Sequence, residues 1–196
     1  RTREQVPLTC DRPMDVHTPP PVEALVTDPE ALLTHGYRQA RDITRMHGTT
    51  YYWGTLFLPP QQRRDVYGLY ALCRLADDIV DEPEKATGHG LDASLPPGER
   101  LAQFEQRFQA DLAAGRSDDP LFAAIVDTAR RLDLDSGCYD RFFGAMQLDL
   151  VRTSWASWPQ LRDEYMEGSV AVSDTGSAHI ATRRSVMCTS AAASTP

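Results

Sequence analysis

One apolar segment, residues 60–82, restricts the fold of this chain more than any other. Its apolar residues recur at helical spacing, so it predicts an α-helix. At about 100° of rotation per residue, four polar positions fall within roughly 60° of one another: Tyr70, Arg74, Asp77 and Asp81. Charged groups are costly to bury, and the other positions are too apolar for an ordinary surface helix. The segment therefore predicts a largely buried helix whose acidic side faces a cavity.

The remaining sequence predicts further helices and no sheet. Asp28-Pro29 and Asp119-Pro120 are helix starts, with an Asp N-cap and Pro at the first helical position. Apolar residues follow each start at helical spacing, and no run alternates as a half-buried strand would. Only the short apolar run at 51–58 is compatible with either helix or strand. The sequence predicts an all-α domain of about six or seven helices.

Three regions differ in composition. Residues 1–30 are Pro-rich and aperiodic, which predicts a flexible tail. Residues 31–172 carry the helical periods and are predicted to form the domain. Residues 173–196 contain nine Ser or Thr, no Leu and no aromatic residue, and they are predicted to be a divergent, disordered tail.

Charge and cysteine usage exclude several classes of function. A net charge of −8 argues against a nucleic-acid-binding protein, since no basic stripe is available to neutralise phosphates. The longest apolar run is far shorter than the roughly 20 residues of a membrane span. The four cysteines are too scattered for a zinc site or a disulfide scaffold, which favours a reducing, cytoplasmic location: Cys10, Cys73, Cys138 and Cys188.

The acidic motif Asp77-Asp78-Ile79-Val80-Asp81 is the strongest chemical signal. Carboxylates four residues apart on a helix lie about 6 Å from each other and can share a hard cation. Mg²⁺, or Mn²⁺ in its place, prefers one or two carboxylates together with substrate phosphates. Arg74 in register with the acids is a natural fork for a diphosphate, and it favours this reading over a merely solvated acidic helix end.

This block resembles the first signature of the squalene/phytoene synthase family. The matching pattern is Tyr-x-x-x-Arg-x-x-Asp-Asp-x-x-Asp after a Leu-Pro-Pro and two arginines, and the likeness covers roughly residues 31–172, the N-terminal portion of the family's domain. The segments that carry it are His47–Gly54, Leu58–Pro60, Arg63-Arg64, Tyr70–Asp81, Met146–Leu150, Trp158, Leu161 and Tyr165.

The resemblance implies an isoprenoid synthase helical fold, here truncated, around a central apolar cavity. It implies a prenyltransferase that condenses two isoprenoid diphosphates head to head with Mg²⁺. Geranylgeranyl diphosphate would give phytoene through a cyclopropyl diphosphate, in carotenoid biosynthesis. The implied partners are isoprenoid diphosphate substrates. Because these substrates have long hydrophobic chains, the resemblance also implies a peripheral association with a membrane.

The resemblance also assigns roles to single residues. Asp77, Asp81, Tyr70 and Arg74 would be catalytic. The metal would be held by Asp77 and Asp81, with Asp78 at the edge of their face. Tyr51 and Tyr165 would contact the substrate together with Arg74. For Asp149 two interpretations stay open, a site residue or an acid on a helix surface.

The sequence departs from the family pattern in two ways. Gly144 stands where many relatives carry Asp, and the second acidic motif of the family is absent from these 196 residues. We therefore expect the chain by itself to be impaired or inactive. We also expect it to self-associate, because its helices would expose apolar faces.

Several other functions fit the same motif. A squalene or dehydrosqualene synthase, a head-to-tail prenyltransferase and a terpene cyclase would use the acidic residues in the same way. An assembly factor and an inactive gene remnant are the alternatives without catalysis.

Overall fold

The computed structural model describes residues 28–152, 154–170, 172 and 176. In these residues all regular structure is helical, which confirms the predicted all-α class. Of the two predicted tails, residues 1–27 and most of 173–196 lie outside the described residues. The last two residues of the tail predicted at 1–30 already belong to the first helix, which begins at Pro29. The elements are α1 (Pro29–His47), α2 (Thr49–Thr55), α3 (Pro60–Asp81), α4 (Pro97–Ala114), α5 (Pro120–Leu132), α6 (Ser136–Asp149), α7 (Trp158–Leu161), a π-helical turn (Arg162–Met166) and α8 (Glu167–Ser169).

The helix starts follow the local chemistry of the sequence. The Asp28 carboxylate accepts from the backbone N–H of Glu30 at 3.0 Å, and the Asp119 carboxylate accepts from that of Phe122 at 3.0 Å. Both caps satisfy backbone donors that a helix start leaves without a partner. The ambiguous run at 51–58 begins as the helix α2 and ends in a turn.

An aromatic core holds α3 in place. Phe104 of α4 meets Phe122 of α5 edge to face, with ring centroids 5.4 Å apart, and it meets Phe143 of α6 at 5.5 Å. Edge-to-face pairs of this kind add to the stabilisation from apolar burial. The apolar side of α3 packs onto this core through Leu72 and Ile79, which are 1% and 0% exposed. Burying that side leaves the acidic side of α3 turned away from the core.

A polar network ties together α1, α3 and α5. Arg131 of α5 forms ion pairs with Asp65 of α3 and, at 2.9 Å, with Asp127. It also donates to the Tyr37 hydroxyl of α1 at 2.8 Å, and that hydroxyl donates to Asp127 at 2.7 Å. Asp65 is only 2% exposed, so this cluster, the Arg131 network, stabilises the crossing of three helices from within.

The loop after the acidic motif is held against α4. Arg100 is 4% exposed, and its guanidinium donates to four backbone carbonyls of the loop, those of Pro83, Ala86, Ala93 and Leu95, over 2.5–3.3 Å. Buried carbonyls need such partners when no helix or strand supplies them. These bonds make the loop a fixed connection between α3 and α4, in preference to a lid over a ligand.

The contact between His89 of this loop and Asp119, at 3.0 Å, makes the folding stability depend on pH. Burial by itself raises the pKa of Asp119. Hydrogen bonds from His89 Nδ1 and from the backbone N–H of Phe122 lower it, as do the charges of His89 and Arg107. Together they hold the pKa below its usual 3.8. The Asp119 carboxyl group therefore binds its proton less tightly in the folded chain than in the unfolded chain. The resulting stabilisation is present above pH 3.8 and is lost as the pH falls through the folded value.

We expect Asp119→Asn to lower the free energy of unfolding by about 1 kcal/mol at neutral pH. Asn caps a helix as well as Asp, so the difference in unfolding free energy between the two proteins measures the effect of the Asp119 charge. The measurement is urea unfolding of both proteins from neutral pH to below 3.8. Their stabilities should converge at the acidic end, and a gap that stayed constant with pH would contradict the assignment.

In the part of the chain that is described, no helix is both long and apolar enough to cross a membrane.

Candidate active site

The C-terminal half of α3 presents the residues that the sequence singled out. Tyr70, Arg74, Asp77 and Asp78 are each half-buried, whereas Asp81, the last residue of the helix, is exposed. The acidic side of α3 is thus partly covered from Tyr70 to Asp78 and open to solvent at Asp81.

Asp77 lies in an unfavourable environment for a carboxylate. Burial raises its pKa, the charges of Asp81, Asp78 and Asp149 raise it further, and Arg74 acts in the opposite direction. Neighbouring carboxylates repel one another and a half-buried position removes part of the solvent that would screen them. A bound cation would relieve this repulsion.

The structure adds Asp149 to the site. Asp149 is the last residue of α6, where the negative end of the helix dipole disfavours a carboxylate. Its Oδ2 accepts a hydrogen bond from the Tyr165 hydroxyl at 2.7 Å, and its charge reaches Asp77. Of the two interpretations left open by the sequence, this placement favours a site residue.

Tyr165 is brought to the acidic side by the π-helical turn at Arg162–Met166. Burial, the hydrogen bond to Asp149 and the negative charges of Asp149, Asp77 and Asp81 all raise its pKa. Its hydroxyl therefore keeps its proton and remains a hydrogen-bond donor among carboxylates.

Arg74 and Asp78 form an ion pair one helical turn apart. The Arg74 Nε is buried and has no hydrogen-bond partner among the described residues. The charge of Arg74 offsets part of the carboxylate repulsion at Asp77. Asp78, which the resemblance implies as a metal ligand, is engaged by this arginine.

Two tyrosines close the other end of the stripe. The rings of Tyr51 on α2 and Tyr70 on α3 lie 5.8 Å apart at 30°. Gly48, between α1 and α2, makes this possible, because a Cβ at that position would lie 2.8 Å from the Tyr70 ring. We call these residues together, the two tyrosine rings, the carboxylates of α3 with Asp149, and Tyr165, the acidic stripe.

The oxygen donors of the stripe fit Mg²⁺. Among the described residues no three His, Cys, Asp or Glu side chains lie close enough to hold a metal by themselves. Mg²⁺ does not need such a group, since it keeps several waters and takes one or two carboxylates together with phosphate oxygens. Asp77 and Asp81 supply that number, and the raised pKa of Asp77 marks a place where positive charge is favourable.

Comparison with known proteins gives one consistent result. The family model for squalene/phytoene synthase matches residues 44–194. A 15-cis-phytoene synthase of Synechocystis sp. is 31% identical over 133 residues, which is 68% of this chain and 37% of the relative. A 15-cis-phytoene synthase of Synechococcus elongatus is 30% identical over 67% of this chain and 40% of the relative. A chloroplastic phytoene synthase of Narcissus pseudonarcissus is 30% identical over 66% of this chain and 29% of the relative. The matches therefore span less than half the length of these relatives.

Proposed function

This chain belongs to the squalene/phytoene synthase family, whose fold is the all-α isoprenoid synthase fold, and from that membership we propose that it is built for prenyl transfer. The reaction is the head-to-head condensation of two geranylgeranyl diphosphates to phytoene through a cyclopropyl diphosphate. The pathway is carotenoid biosynthesis. We place the protein in the cytoplasm, in peripheral contact with a membrane that holds substrate and product.

The observation that supports this proposal is the convergence of carboxylates on one side of α3. Asp77, Asp81 and Asp149 come from two helices. The charges of Asp81 and Asp149 act on Asp77, and all three act on Tyr165. A folded protein does not gain stability from such a cluster. A cation–diphosphate ligand explains it.

Each residue of the stripe has a role in this proposal. Asp77 and Asp81 would hold Mg²⁺. Asp78 lies at the edge of their face and forms an ion pair with Arg74. Mg²⁺ would neutralise the charge of the departing diphosphate. Arg74 would donate to a diphosphate oxygen through the guanidinium that already lies beside the carboxylates.

The aromatic residues would serve the allylic part of the substrate. The ring faces of Tyr51 and Tyr70 offer negative π-density to an allylic cation, as aromatic side chains do to other cations. Tyr165, fixed by its hydrogen bond to Asp149, would donate to the diphosphate or to a water beside it.

The 196 residues contain one acidic motif of this type, and departure of two diphosphates calls for metal on both sides of a cavity. We therefore propose that these residues alone turn over substrate poorly. We also propose that residues 31–172 act as one domain that self-associates, since Trp53 and Phe57 are 61% and 88% exposed.

The test is ligand-induced thermal stabilisation of the chain. Mg²⁺ with inorganic diphosphate should raise the melting temperature of the unmodified protein, because the ligand binds only the folded state. The part of the shift that appears with Mg²⁺ and diphosphate, but not with diphosphate in EDTA, should be lost in Asp77→Asn and in Asp81→Asn. Glu84→Gln, an exposed acid just beyond α3, is the matched control and should leave the shift intact.

Two outcomes would contradict the proposal. A Mg²⁺-dependent shift that survives both Asn variants would mean that the cation and diphosphate bind elsewhere. Product analysis with geranylgeranyl diphosphate and Mg²⁺ distinguishes the alternatives, because only a head-to-head enzyme gives a C40 hydrocarbon from this substrate. Efficient turnover by the 196-residue chain would overturn the expectation that it is impaired.

A further inference from the structure

A cavity of about 320 Å³ between α1 and the start of α3 carries four arginines that the proposed reaction does not use. No Asp or Glu is among its described lining residues. The residues that form this arginine pocket include Arg38, Arg41, Arg63, Arg64, Tyr37 and Tyr67. Several like charges around one cavity repel one another, so an anion in the cavity would stabilise them.

Most of these arginines have no acidic partner. Arg41 pairs with Asp42 at 3.0 Å, but both side chains are about half exposed, at 49% and 54%, where such a pair contributes little. Arg38, Arg63 and Arg64 form no ion pair with any described residue. The positive charge of the pocket is therefore not balanced within the described structure.

Hydrogen bonds to backbone carbonyls hold the Arg63 guanidinium in place, and these neutral partners do not cancel its charge. Its Nη2 donates to the carbonyls of Leu56 and Leu58, each at 3.2 Å, while its Nε is buried and has no partner among the described residues. The first residue of α3, Pro60, also lines the pocket. The positive end of this 22-residue helix therefore adds to the field of the arginines.

We propose that the arginine pocket binds a phosphate group, at a site separate from the acidic stripe. Planar guanidinium groups bind phosphate oxygens in pairs, and arginine is the side chain that proteins favour for this purpose. Arg64 lies over the Tyr37 ring, 5.6 Å from its centroid, so its side chain is already oriented at the pocket wall. The inference does not depend on the proposed prenyl transfer.

The phosphate has two plausible sources with the same chemistry, a soluble diphosphate and a phospholipid headgroup. The turn that Arg63 holds carries Phe57, which is 88% exposed. An aromatic side chain in that position would enter the interface of a bilayer while the arginines met its headgroups. Phe57 therefore distinguishes the two sources.

The first experiment is calorimetric titration of the 196-residue chain with inorganic diphosphate in EDTA. Without Mg²⁺ the carboxylates of the acidic stripe repel diphosphate, so binding reports on the arginine pocket. Arg38→Gln with Arg64→Gln should weaken binding by about tenfold or more. Arg45→Gln, an exposed arginine of α1 outside the pocket, is the matched control and should bind normally. Asp77→Asn should also bind normally, which separates this site from the proposed active site.

The second experiment uses vesicles of phosphatidylcholine with and without phosphatidylglycerol. Binding that requires phosphatidylglycerol and is lost both in the double arginine variant and in Phe57→Ser assigns the site to a lipid headgroup. Diphosphate binding that is lost in the arginine variant and unchanged in Phe57→Ser, without vesicle binding, assigns it to a soluble phosphate. If neither probe binds, or if the arginine variant binds as well as the unmodified chain, the proposal is wrong. Far-UV circular dichroism of each variant checks that it is folded.

Discussion

Asp65→Ala is expected to lower the free energy of unfolding by about 3 kcal/mol or more. Asp65 is 2% exposed and forms an ion pair with Arg131 across α3 and α5. Removing one partner of a buried pair withdraws compensation from the other charge, and that cost exceeds the gain from forming the pair. Arg131 would keep the more exposed Asp127 as an acidic partner among the described residues. Arg131 is 27% exposed, so it would recover some solvent, and the loss should lie toward the lower end of the usual range.

The Arg131 network provides its own controls. Asp127→Ala removes the other carboxylate that pairs with Arg131, but Asp127 is 35% exposed and the loss should be smaller. The double variant Asp65→Ala with Arg131→Met removes both charges and should recover part of the stability lost in Asp65→Ala. Urea unfolding of the four proteins measures these differences. Equal losses for the two aspartates would show that burial does not decide the contribution of each ion pair.

Gly36→Ala should destabilise the protein by about 2 kcal/mol or more, although alanine is the better helix former. Gly36 lies where α1 crosses the start of α5. A Cβ at this position would lie 1.8 Å from the backbone oxygen of Pro120 and 3.1 Å from the Ala124 Cβ. A backbone oxygen at the start of a helix cannot rotate away as a side chain can. The two helices would have to separate, and the Arg131 network would be strained with them.

Gly144→Ala is the matched control for Gly36→Ala. Gly144 is also in a helix, α6, but nothing lies within 4 Å of the position of its Cβ. The same substitution there should stabilise the protein by roughly 0.5–1 kcal/mol, because alanine restricts the unfolded chain and favours the helix. Thermal or urea unfolding should give opposite signs for the two variants. A loss of similar size in both would mean that helix packing is not the cause.

The family signature supplies only part of the candidate site, and tertiary packing supplies the rest. The signature on α3 supplies Asp77, Asp81 and Arg74 within one helix. The structure supplies Asp149 and Tyr165, from the end of α6 and the π-helical turn, and joins them by a hydrogen bond of 2.7 Å. Because charges from both helices act on Asp77, its raised pKa is a property of the assembled site.

Much of the fold could be predicted from local signals. The Asp-Pro pairs start α1 and α5, the motif Asp77–Asp81 lies on a helix that ends at Asp81, and the all-α class is confirmed. Each of these features depends on residues within about one or two helical turns, where hydrogen-bond geometry and side-chain spacing are fixed by the helix itself. The order of Tyr70, Arg74, Asp77 and Asp81 on one side of α3 follows for the same reason.

The tertiary structure alone decided the contacts between distant residues. Tyr37 and Arg131 are 94 positions apart, and neither has a sequence neighbour that indicates the other. The placement of Asp149 beside Tyr165 and the grouping of four arginines in one pocket also depend on how helices cross. Crossing angles arise from the packing of many side chains at once, and no short pattern encodes them. The sequence therefore determined which residues share a helix face, and packing determined which faces meet.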